Sequence, residues 1–505
     1  MYALQFCVRP ALILRVLYVL FNTILVFGVP EVSGSSSSAA NFGYGCVIDA
    51  GSSGSRIYVY RWPARKFDTL PPSVTQVERE ALFSEKKSPG ISDQVKGLPL
   101  LNDLISLAKA AIPEDADLKR IPVYLGATAG MRILDPTLEA EIMTKVRAVL
   151  HSSGFLFHDD WARTISGEEE GSFGWLVANY LMNKNEMPEV DGKTYGALDL
   201  GGASTQISFK PKGSVLANQF PLTIDETEYL LYTHSFLYYG VDQAAIQFDT
   251  KHLSTTKKNP CYPTGYTNSK TNVSGSSSWD DCLSQVAALF DTTQPCFNSD
   301  GKPERCSFNG VYQPPMGDKK FIAMSAFVYA WQYLGLSIGS KTDDLVKLSA
   351  RAKTVCDLTY TQQLQNMPAG TRNSSVGVLC FNAAYSYQLL HKGYGMPTSN
   401  TPIEIYDKIG GTQVQWAFGM MIVEANKLGW IFEGSSTYKY LFTILTPVFV
   451  VLSCALAYLL YQAKRSGVAG SYTQESYVPL SDNTLAVAKS NERAKKVEQT
   501  VFDNI

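Results

Sequence analysis

Two segments of this 505-residue chain are near copies of one another. Segment 47–55 reads VIDAGSSGS and segment 197–205 reads ALDLGGAST, so Asp49 and Asp199 are equivalent and lie 199 − 49 = 150 residues apart. In each, an apolar run ends in Asp, small and hydroxylic residues follow, and alternating apolar residues resume. This pattern predicts a β-hairpin with its turn at the glycines. Its recurrence predicts a duplicated fold that closes both turns onto one phosphate chain.

The composition of these turns suits anion binding. Loops poor in side chains let backbone N–H groups approach an anion, and Ser and Thr hydroxyls add donors. A carboxylate at the strand end is free to orient a divalent cation, directly or through its water shell. An ordinary turn is the alternative, because Gly, Ser and Asp are common in turns generally. Recurrence with matched flanks favours the phosphate-loop interpretation.

Charge and histidine content exclude some functions. Lys and Arg number 44 against 46 Asp and Glu, which gives a formal net charge of −2. This overall charge does not favour binding to nucleic acid, so we expect no nucleic-acid partner. The five histidines lack the spacing of zinc ligands. The length suits two domains or one duplicated unit.

Both ends of the chain carry apolar segments. Residues 440–461 contain no charge and run into Lys464 and Arg465, which predicts a transmembrane helix followed by a cytosolic tail at 463–505. Residues 11–29 are interpreted as a signal peptide or a transmembrane signal anchor after a cytosolic N-terminus at 1–10, and the sequence does not separate the two. Most of the chain would then be extracellular or luminal.

The cysteines and sequons agree with that compartment. Six cysteines of the later half form an even set, as expected of disulfides in an oxidising space, and their pairing stays open at this level. They are Cys261, Cys282, Cys296, Cys306, Cys356 and Cys380. Asn272 and Asn373 stand in N-x-S/T sequons and are predicted glycosylation sites.

Apolar periodicity and capping signals alternate along the chain and predict an α/β class with mixed sheets. We expect hairpins at 46–61 and 194–210, helices at 98–112, 136–151 and 171–183, a strand at 121–125 and an exposed loop at 254–280.

Three carboxylates, Glu168, Glu169 and Glu170, open the predicted helix near residue 167. Ser166 and Glu169 stand in capping-box register, and acidic residues complement a helix N-terminus, which is a sufficient structural reason for the first two. Glu170 is not needed for capping. Beside two phosphate loops it could accept a proton from an attacking water.

Five segments occur in the order of the apyrase-conserved regions and resemble the ecto-nucleoside triphosphate diphosphohydrolase family. They are VIDAGSSGSRIYVY (47–60), GATAGMR (126–132), ISGEEEGSFGW (165–175), ALDLGGASTQISF (197–209) and VQWAFG (414–419). The resemblance implies a two-lobed actin/Hsp70/sugar-kinase-like ectodomain between terminal transmembrane helices, with lobe I at 41–165 completed by a helix at about 412–432, and lobe II at 166–411. It also implies hydrolysis of nucleoside tri- and diphosphates with Ca²⁺ or Mg²⁺.

Carried over by motif, the resemblance assigns a role to each site residue. Glu170 would be the general base, Thr128, Ser204 and Gln206 would position the water, and Asp49 and Asp199 would hold the metal through water. Two loops would bind phosphate: Ser52, Ser53, Gly54 and Ser55, then Gly201, Gly202, Ala203, Ser204 and Thr205. Trp416 would line the site, although an aromatic residue on a helix is more often core. Tyr329 would stack on the base, and Leu379 stands where a second aromatic is expected.

The resemblance also bears on disulfides, partners and location. Family order implies Cys356–Cys380 and the interleaved pairs Cys261–Cys296 and Cys282–Cys306. Gly54-Ser55-Arg56 is similar to Golgi, lysosomal and secreted members rather than to many surface members, so cell surface and secretory or endolysosomal membranes both stay open. The partners would be nucleotides and the lipid bilayer, and the transmembrane helices would allow homo-oligomers. The alternative function is a non-catalytic nucleotide-binding ectodomain of the same fold.

Overall fold

The computed structural model divides the chain into two compact units, Met1–Trp430 and Ile431–Ile505. The residues it describes are 42–63, 75–76, 87–184, 186–190, 192–213, 215–224, 227–269, 271–297, 301–367, 373–428 and 436–465. The predicted segments at 1–10 and 11–29, and the tail beyond Arg465, lie outside these residues.

The first sheet of the larger unit has five strands in the order β3-β2-β1-β4-β5. They are β1 (Phe42–Gly51), β2 (Gly54–Pro63), β3 (Thr75–Gln76), β4 (Val123–Ala127) and β5 (Ala162–Thr164). β1 and β2 form the predicted antiparallel hairpin, in which Asp49 lies opposite Arg56. β4 runs parallel to β1 and to β5, so the sheet is mixed.

Three helices accompany this sheet: α1 (Leu100–Ala111), α2 (Ala129–Arg132) and α3 (Pro136–His151). α3 begins as the sequence predicts, with the Asp135 carboxylate accepting the Thr137 N–H and Pro136 in the first turn. The chain leaves α3 through Gly154 at φ +82°, a conformation that a Cβ disfavours.

The second sheet has six strands in the order β15-β14-β6-β7-β9-β8. They are β6 (Gly196–Leu200), β7 (Ser204–Phe209), β8 (Gln219–Ile224), β9 (Thr227–Leu237), β14 (Phe321–Ser325) and β15 (Ile403–Ile405). β6 and β7 form the second predicted hairpin, with Asp199 opposite Gln206. β14 lies parallel to β6 and to β15, so this sheet is also mixed and the predicted α/β class is confirmed.

Two helices lie in one apolar core with both sheets: α4 (Gly167–Met182) and α12 (Trp416–Lys427). This core joins Val47 of the first sheet to Ile322 of the second. The helices cross closely, since a Cβ built on Gly419 would lie 2.1 Å from the Phe173 carbonyl oxygen. A glycine is therefore needed at this crossing.

The remaining elements pack mainly around the second sheet. The helices are α5 (Val241–Thr255), α6 (Trp279–Val286), α7 (Ala326–Tyr333), α8 (Leu345–Cys356), α9 (Tyr360–Asn366), α10 (Asn373–Val376) and α11 (Leu379–Gln388), which continues into a π-helical turn (Leu389–Gly393). Short strand pairs are β10 (Lys258–Asn259) with β11 (Ser274–Gly275), β12 (Pro295–Phe297) with β13 (Pro303–Arg305), and β16 (Lys408–Ile409) with β17 (Thr412–Gln413).

The disulfides are Cys261–Cys282, Cys296–Cys306 and Cys356–Cys380. The prediction for Cys356–Cys380 is confirmed. The interleaved pairs Cys261–Cys296 and Cys282–Cys306 are wrong. The antiparallel pairing of β12 with β13 brings Cys296 beside Cys306, and their Cα atoms are 5.2 Å apart. The Cα atoms of Cys261 and Cys282 are 4.7 Å apart.

The predicted exposed loop at 254–280 is wrong for much of its length, because Cys261, Tyr262, Val273 and Trp279 are buried. The buried Asp249 carboxylate holds this segment. It accepts hydrogen bonds from Asn259 Nδ2 (2.7 Å), Tyr262 Oη (2.8 Å), Asn268 Nδ2 (3.0 Å) and Thr271 Oγ1 (2.8 Å). Asn272 is exposed, as glycosylation requires, and Asn373 begins α10.

The smaller unit contains α13 (Ser436–Arg465). Its stretch Leu445–Gln462 is long and apolar enough to cross a bilayer, and it is the one such helix among the residues that the structure describes. This agrees with the span predicted at 440–461.

The helix crossing predicts opposite effects for two glycine substitutions. Replacing Gly by Ala inside a helix normally stabilises it by up to about 1 kcal/mol. We expect Gly419→Ala instead to destabilise the protein by about 1–3 kcal/mol, because the Cβ overlaps backbone of α4. Gly174→Ala is the matched control, since its Cβ would meet nothing closer than Met324 Cε at 4.0 Å. Thermal unfolding of both variants checks this, and equal melting temperatures would contradict the close crossing.

Candidate active site

The second glycine-rich loop is held by the start of α5. The carbonyls of Gly201, Gly202 and Ala203 accept hydrogen bonds from the N–H groups of Val241 (2.9 Å), Asp242 (2.9 Å) and Tyr238 (2.8 Å). These oxygens are therefore occupied and fixed. A loop whose carbonyl oxygens are engaged elsewhere presents less negative charge to an incoming phosphate.

The first glycine-rich loop is fixed in a comparable way. The Ala50 carbonyl accepts the Thr128 N–H at 3.1 Å, and the Ser53 carbonyl accepts the Ser88 hydroxyl at 2.7 Å. Gly90 packs on the turn, since a Cβ there would lie 2.4 Å from the Gly51 carbonyl oxygen. The loop is thus held from two sides.

The two loops meet, as the sequence repeat predicts. A Cβ built on Gly202 would lie 2.7 Å from Ser52 Oγ, and one built on Gly130 would lie 2.6 Å from Ser52 Cα. The turn of the first hairpin therefore sits between α2 and the turn of the second hairpin. The described residues therefore bring the two loops into contact.

Glu170 lies beside this junction in a hydrogen-bonded network. Its side chain is 9% exposed, and its Oε2 accepts hydrogen bonds from Arg132 Nη2 at 2.7 Å and from Gln206 Nε2 at 3.2 Å. Arg132 also donates to Ser204 Oγ at 3.1 Å, and Gln206 donates to Ser204 Oγ at 2.8 Å. Three of the four residues predicted for water attack are therefore in direct contact.

The fourth, Thr128, follows β4 and occupies the N-cap position of α2 without a capping bond from its side chain; the last residue of α2 is Arg132. Its side chain is buried, and its N–H is bonded to the first loop.

Burial raises the pKa of Glu170 to about 7. The Arg132 guanidinium opposes this rise, whereas the negative charges of Asp199 and Asp49 add to it. A carboxylate with a pKa near 7 is a far better proton acceptor than one at its ordinary value, and it is still substantially ionised at neutral pH.

Glu169 has the structural role that the sequence predicts. Ser166 and Glu169 form a capping box, and the Glu169 carboxylate also accepts two hydrogen bonds from Arg163, at 2.7 and 2.8 Å. Burial opposes ionisation of Glu169, but the bonds from Arg163 and Ser166 outweigh it and hold its pKa below the usual range. The adjacent carboxylates of Glu169 and Glu170 therefore have pKa values shifted in opposite directions.

Asp49 and Asp199 lie near the ends of the equivalent strands β1 and β6. Asp199 is 6% exposed, and burial raises its pKa while the Ser325 side chain opposes the rise. Among the residues that the structure describes, no three His, Cys, Asp or Glu side chains converge closely enough to ligate an ion directly. Two carboxylates without a third protein ligand can hold a hard divalent cation through its water shell.

Three buried hydrogen-bond donor atoms of this site are suited to binding an anion. Ser55 Oγ, Arg132 Nε and Arg132 Nη1 are buried and have no hydrogen-bond partner within the described part of the chain. Buried polar atoms normally have partners, and phosphate oxygens are suitable acceptors for a hydroxyl and a guanidinium.

Trp416 and Tyr329 lie in different environments. Trp416 is 4% exposed and belongs to the core between the sheets, with its ring so close to Gly126 that a Cβ there would lie 2.6 Å away. Tyr329 is 46% exposed on α7, near the charge of Arg56. Leu379 is buried and presents no face for stacking.

Two residues of the site are absent from the sequence-based set. Arg132 ends the GATAGMR segment, 38 residues before Glu170, and its place in that segment was the available signal. Ser325, at the end of the neighbouring strand β14, lowers the pKa of Asp199, and no local pattern marks it.

Comparisons with known proteins agree with this geometry. Residues 35–438 match the model of the GDA1/CD39 (nucleoside phosphatase) family. The chain belongs to this family. It is 32% identical to ectonucleoside triphosphate diphosphohydrolase 2 of Gallus gallus, over 86% of this chain and 94% of the relative. It is 33% identical to ectonucleoside triphosphate diphosphohydrolase 1 of Bos taurus, over 77% and 82%.

A solved structure shares the fold. The chain resembles a crystal structure of nucleoside triphosphate hydrolases from Neospora caninum, with a TM-score of 0.53, 15% identity, and coverage of 77% of this chain and 94% of that one. As a member of the GDA1/CD39 family, the chain is a hydrolase, and the predicted family resemblance is confirmed.

The packing of Ser52 predicts the effect of Gly130→Ala. The new Cβ would overlap Ser52 Cα and push the first loop away from the cleft. Because catalytic groups misplaced by about 1 Å cost on the order of 10²-fold, we expect kcat/KM for nucleotide hydrolysis to fall by about 10–100-fold. Gly174→Ala is again the control and should retain activity. Wild-type kcat/KM in a folded Gly130→Ala protein would show that this contact does not set the loop position.

Proposed function

We propose that this protein is a membrane-anchored apyrase that hydrolyses nucleoside tri- and diphosphates and releases the terminal phosphate. The observation that supports this most strongly is the position of Glu170. It is a buried carboxylate of raised pKa, hydrogen-bonded to Gln206 and Arg132, at the junction of two glycine-rich loops. A non-catalytic ectodomain would have no need of this network.

In the proposed reaction, water attacks the terminal phosphorus in line with the bridging oxygen. Gln206, Ser204 and Thr128 orient the water, and Glu170 accepts its proton as the new P–O bond forms. The bond to the bridging oxygen breaks, and the shortened nucleotide leaves with that oxygen. Donors of the two loops, including Ser52 and the second-loop amides, hold the phosphates in place.

A divalent cation, Ca²⁺ or Mg²⁺, would supply charge neutralisation on the phosphate chain when bound. Asp49 and Asp199 would hold it through its water shell. Trp416 would limit the space beside it from the core. These roles rely on the position of both carboxylates at the ends of the duplicated strands.

Tyr329 is the proposed contact for the base, because it is exposed on α7 directly after the strand next to β6. Because Leu379 stands where a second stacking aromatic is expected, we expect the nucleobase site to accept different bases. The names of the similar proteins, ectonucleoside triphosphate diphosphohydrolases 1 and 2, support tri- and diphosphates as substrates.

We infer that the larger unit is a two-lobed, actin-like ectodomain outside the cytosol, at the cell surface or in secretory or endolysosomal membranes. Three disulfides and the exposed sequon at Asn272 support an oxidising compartment, and α13 supports a membrane anchor. Cytosolic orientation of the tail, glycosylation at Asn272 and Asn373, and homo-oligomers through the membrane helices belong to the same proposal.

Neighbouring carboxylates provide a matched test of the enzyme. The purified full-length protein should release phosphate from ATP and ADP with Ca²⁺ or Mg²⁺ and not with chelator. Glu170→Gln should lower kcat by about 10²–10⁴-fold, because a general base is lost. Glu169→Gln should retain most of kcat and lose about 1–2 kcal/mol of stability, because it weakens a cap and an ion pair.

Two results would contradict the proposal. One is an absence of phosphate release from every nucleotide by the wild-type protein under all metal conditions. The other is equal loss of kcat in both variants, which would mean that Glu170 acts only through the stability of α4.

The raised pKa of Glu170 predicts the pH dependence. The base must be ionised, so kcat/KM should rise with pH and reach half its maximum near pH 7. Arg132 opposes the rise of this pKa, so Arg132→Gln should move the half-maximal point to higher pH, in addition to lowering the maximum. A pH profile of both proteins measures this. An unchanged or lower midpoint in Arg132→Gln would contradict the assignment.

A further inference from the structure

The first turns of α4 pack on a polar face of the second sheet. A Cβ built on Gly167 would lie 2.1 Å from Ser235 Cβ, and one built on Gly171 would lie 2.5 Å from Ser208 Oγ. A larger residue at either glycine would displace these side chains or the helix. The two glycines stand on either side of Glu170, and they let α4 approach β7 and β9 closely enough for its carboxylate to reach the sheet.

Ser235 is the cross-strand neighbour of Gln206. The two residues lie directly opposite one another in the antiparallel pair of β7 and β9, so their side chains share one face of the sheet. Ser235 Oγ accepts a hydrogen bond from Gln206 Nε2 at 2.9 Å. Gln206 is 1% exposed and Ser235 is half-buried, so little water competes for this bond.

The Gln206 side chain amide has three acceptors around its nitrogen. Nε2 donates to Ser204 Oγ at 2.8 Å, to Ser235 Oγ at 2.9 Å and to Glu170 Oε2 at 3.2 Å. An amide nitrogen carries two hydrogens, and the two shorter bonds go to the two hydroxyls. Two anchored N–H groups fix the plane of the amide, and therefore the direction of its carbonyl oxygen.

We propose that Ser235 is a positioning residue that holds the Gln206 amide in the orientation that directs the attacking water. The inference rests on the proposed function, because it requires that Gln206 orient this water. Groups that contact reacting atoms must be held by their neighbours to within about 0.5 Å of the productive geometry. Without Ser235, the amide could rotate about its remaining bonds to Ser204 and Glu170.

Four variants separate this role from packing. Ser235→Ala removes the acceptor, and Ser235→Cys keeps a side chain of similar shape but offers only a weak acceptor. Gln206→Ala removes the amide, and the double variant Gln206→Ala with Ser235→Ala tests whether the two residues act as one unit.

Ser208→Ala is the matched control. Ser208 lies two residues beyond Gln206 on β7 and against Gly171, and its hydroxyl is 2.5 Å from that of Thr233 on β9. Its replacement by Ala removes a hydroxyl contact between the same two strands, beside the same helix. It leaves the Gln206 amide with all of its partners.

The measurement is kcat and KM for ATP with Ca²⁺, on the purified full-length proteins in detergent. Ser235→Ala and Ser235→Cys should each lower kcat by about 3–10-fold, the effect of one lost hydrogen bond. KM should stay at the wild-type value, because neither phosphate loop is altered. Gln206→Ala should lower kcat by about 10–100-fold, and the double variant should match it. Ser208→Ala should keep the wild-type kcat.

Thermal unfolding of the same proteins gives the structural comparison. Ser235→Ala and Ser208→Ala each lose one hydroxyl contact between β7 and β9, so their melting temperatures should fall by similar amounts. A fall in kcat confined to the Ser235 variants would then come from the Gln206 amide and not from looser packing.

Each contrary result has its own meaning. Wild-type kcat in Ser235→Ala and Ser235→Cys would overturn the role of Ser235 and leave the enzyme proposal intact. So would an equal fall in Ser208→Ala, which would assign the effect to packing of α4. A double variant slower than Gln206→Ala would also overturn it, because Ser235 would then act apart from the amide. A wild-type protein that releases no phosphate would instead contradict the proposed function.

Discussion

The contact between Arg132 and Glu170 is the interaction on which the site depends. A buried carboxylate is stable only if its charge is compensated, and Arg132 Nη2 at 2.7 Å provides that compensation. Arg132 comes from the first sheet's side of the cleft and Glu170 from α4, so the pair also sets where the two halves meet. Loss of either partner would leave the other charge buried without compensation and would remove a contact that positions the site residues.

The two duplicated hairpins place equivalent residues around this pair, but different neighbouring elements hold their loops. Each hairpin has an Asp near the end of its first strand and turns through small residues whose carbonyls are engaged by neighbouring elements. The second loop is held by the N-terminus of α5, and the first by Ser88 and Thr128. Close crossing of α4 and α12 at Gly419 fixes the common core beneath them.

Local rules account for what the sequence predicted well. Both hairpins, the Asp135 cap of α3 and the capping box at Ser166 and Glu169 follow from residues a few positions apart. Contacts between distant segments were not predictable in this way. The pairing of Cys261 with Cys282 and the burial of the segment around Tyr262, whose hydroxyl donates to Asp249, both depend on tertiary packing. Capping accounts for Glu168 and Glu169 but not for Glu170, which is why local sequence rules mark Glu170 as a functional candidate.

The central claim is that water attacks the terminal phosphorus directly, with no covalent phosphoenzyme. Hydrolysis of ATP carrying a γ-phosphorothioate made chiral with oxygen isotopes, in isotopically labelled water, reads this out as the configuration of the released thiophosphate. A single in-line displacement by water activated at Glu170 predicts inversion at phosphorus. Retention would require two displacements through a covalent intermediate and would contradict the account.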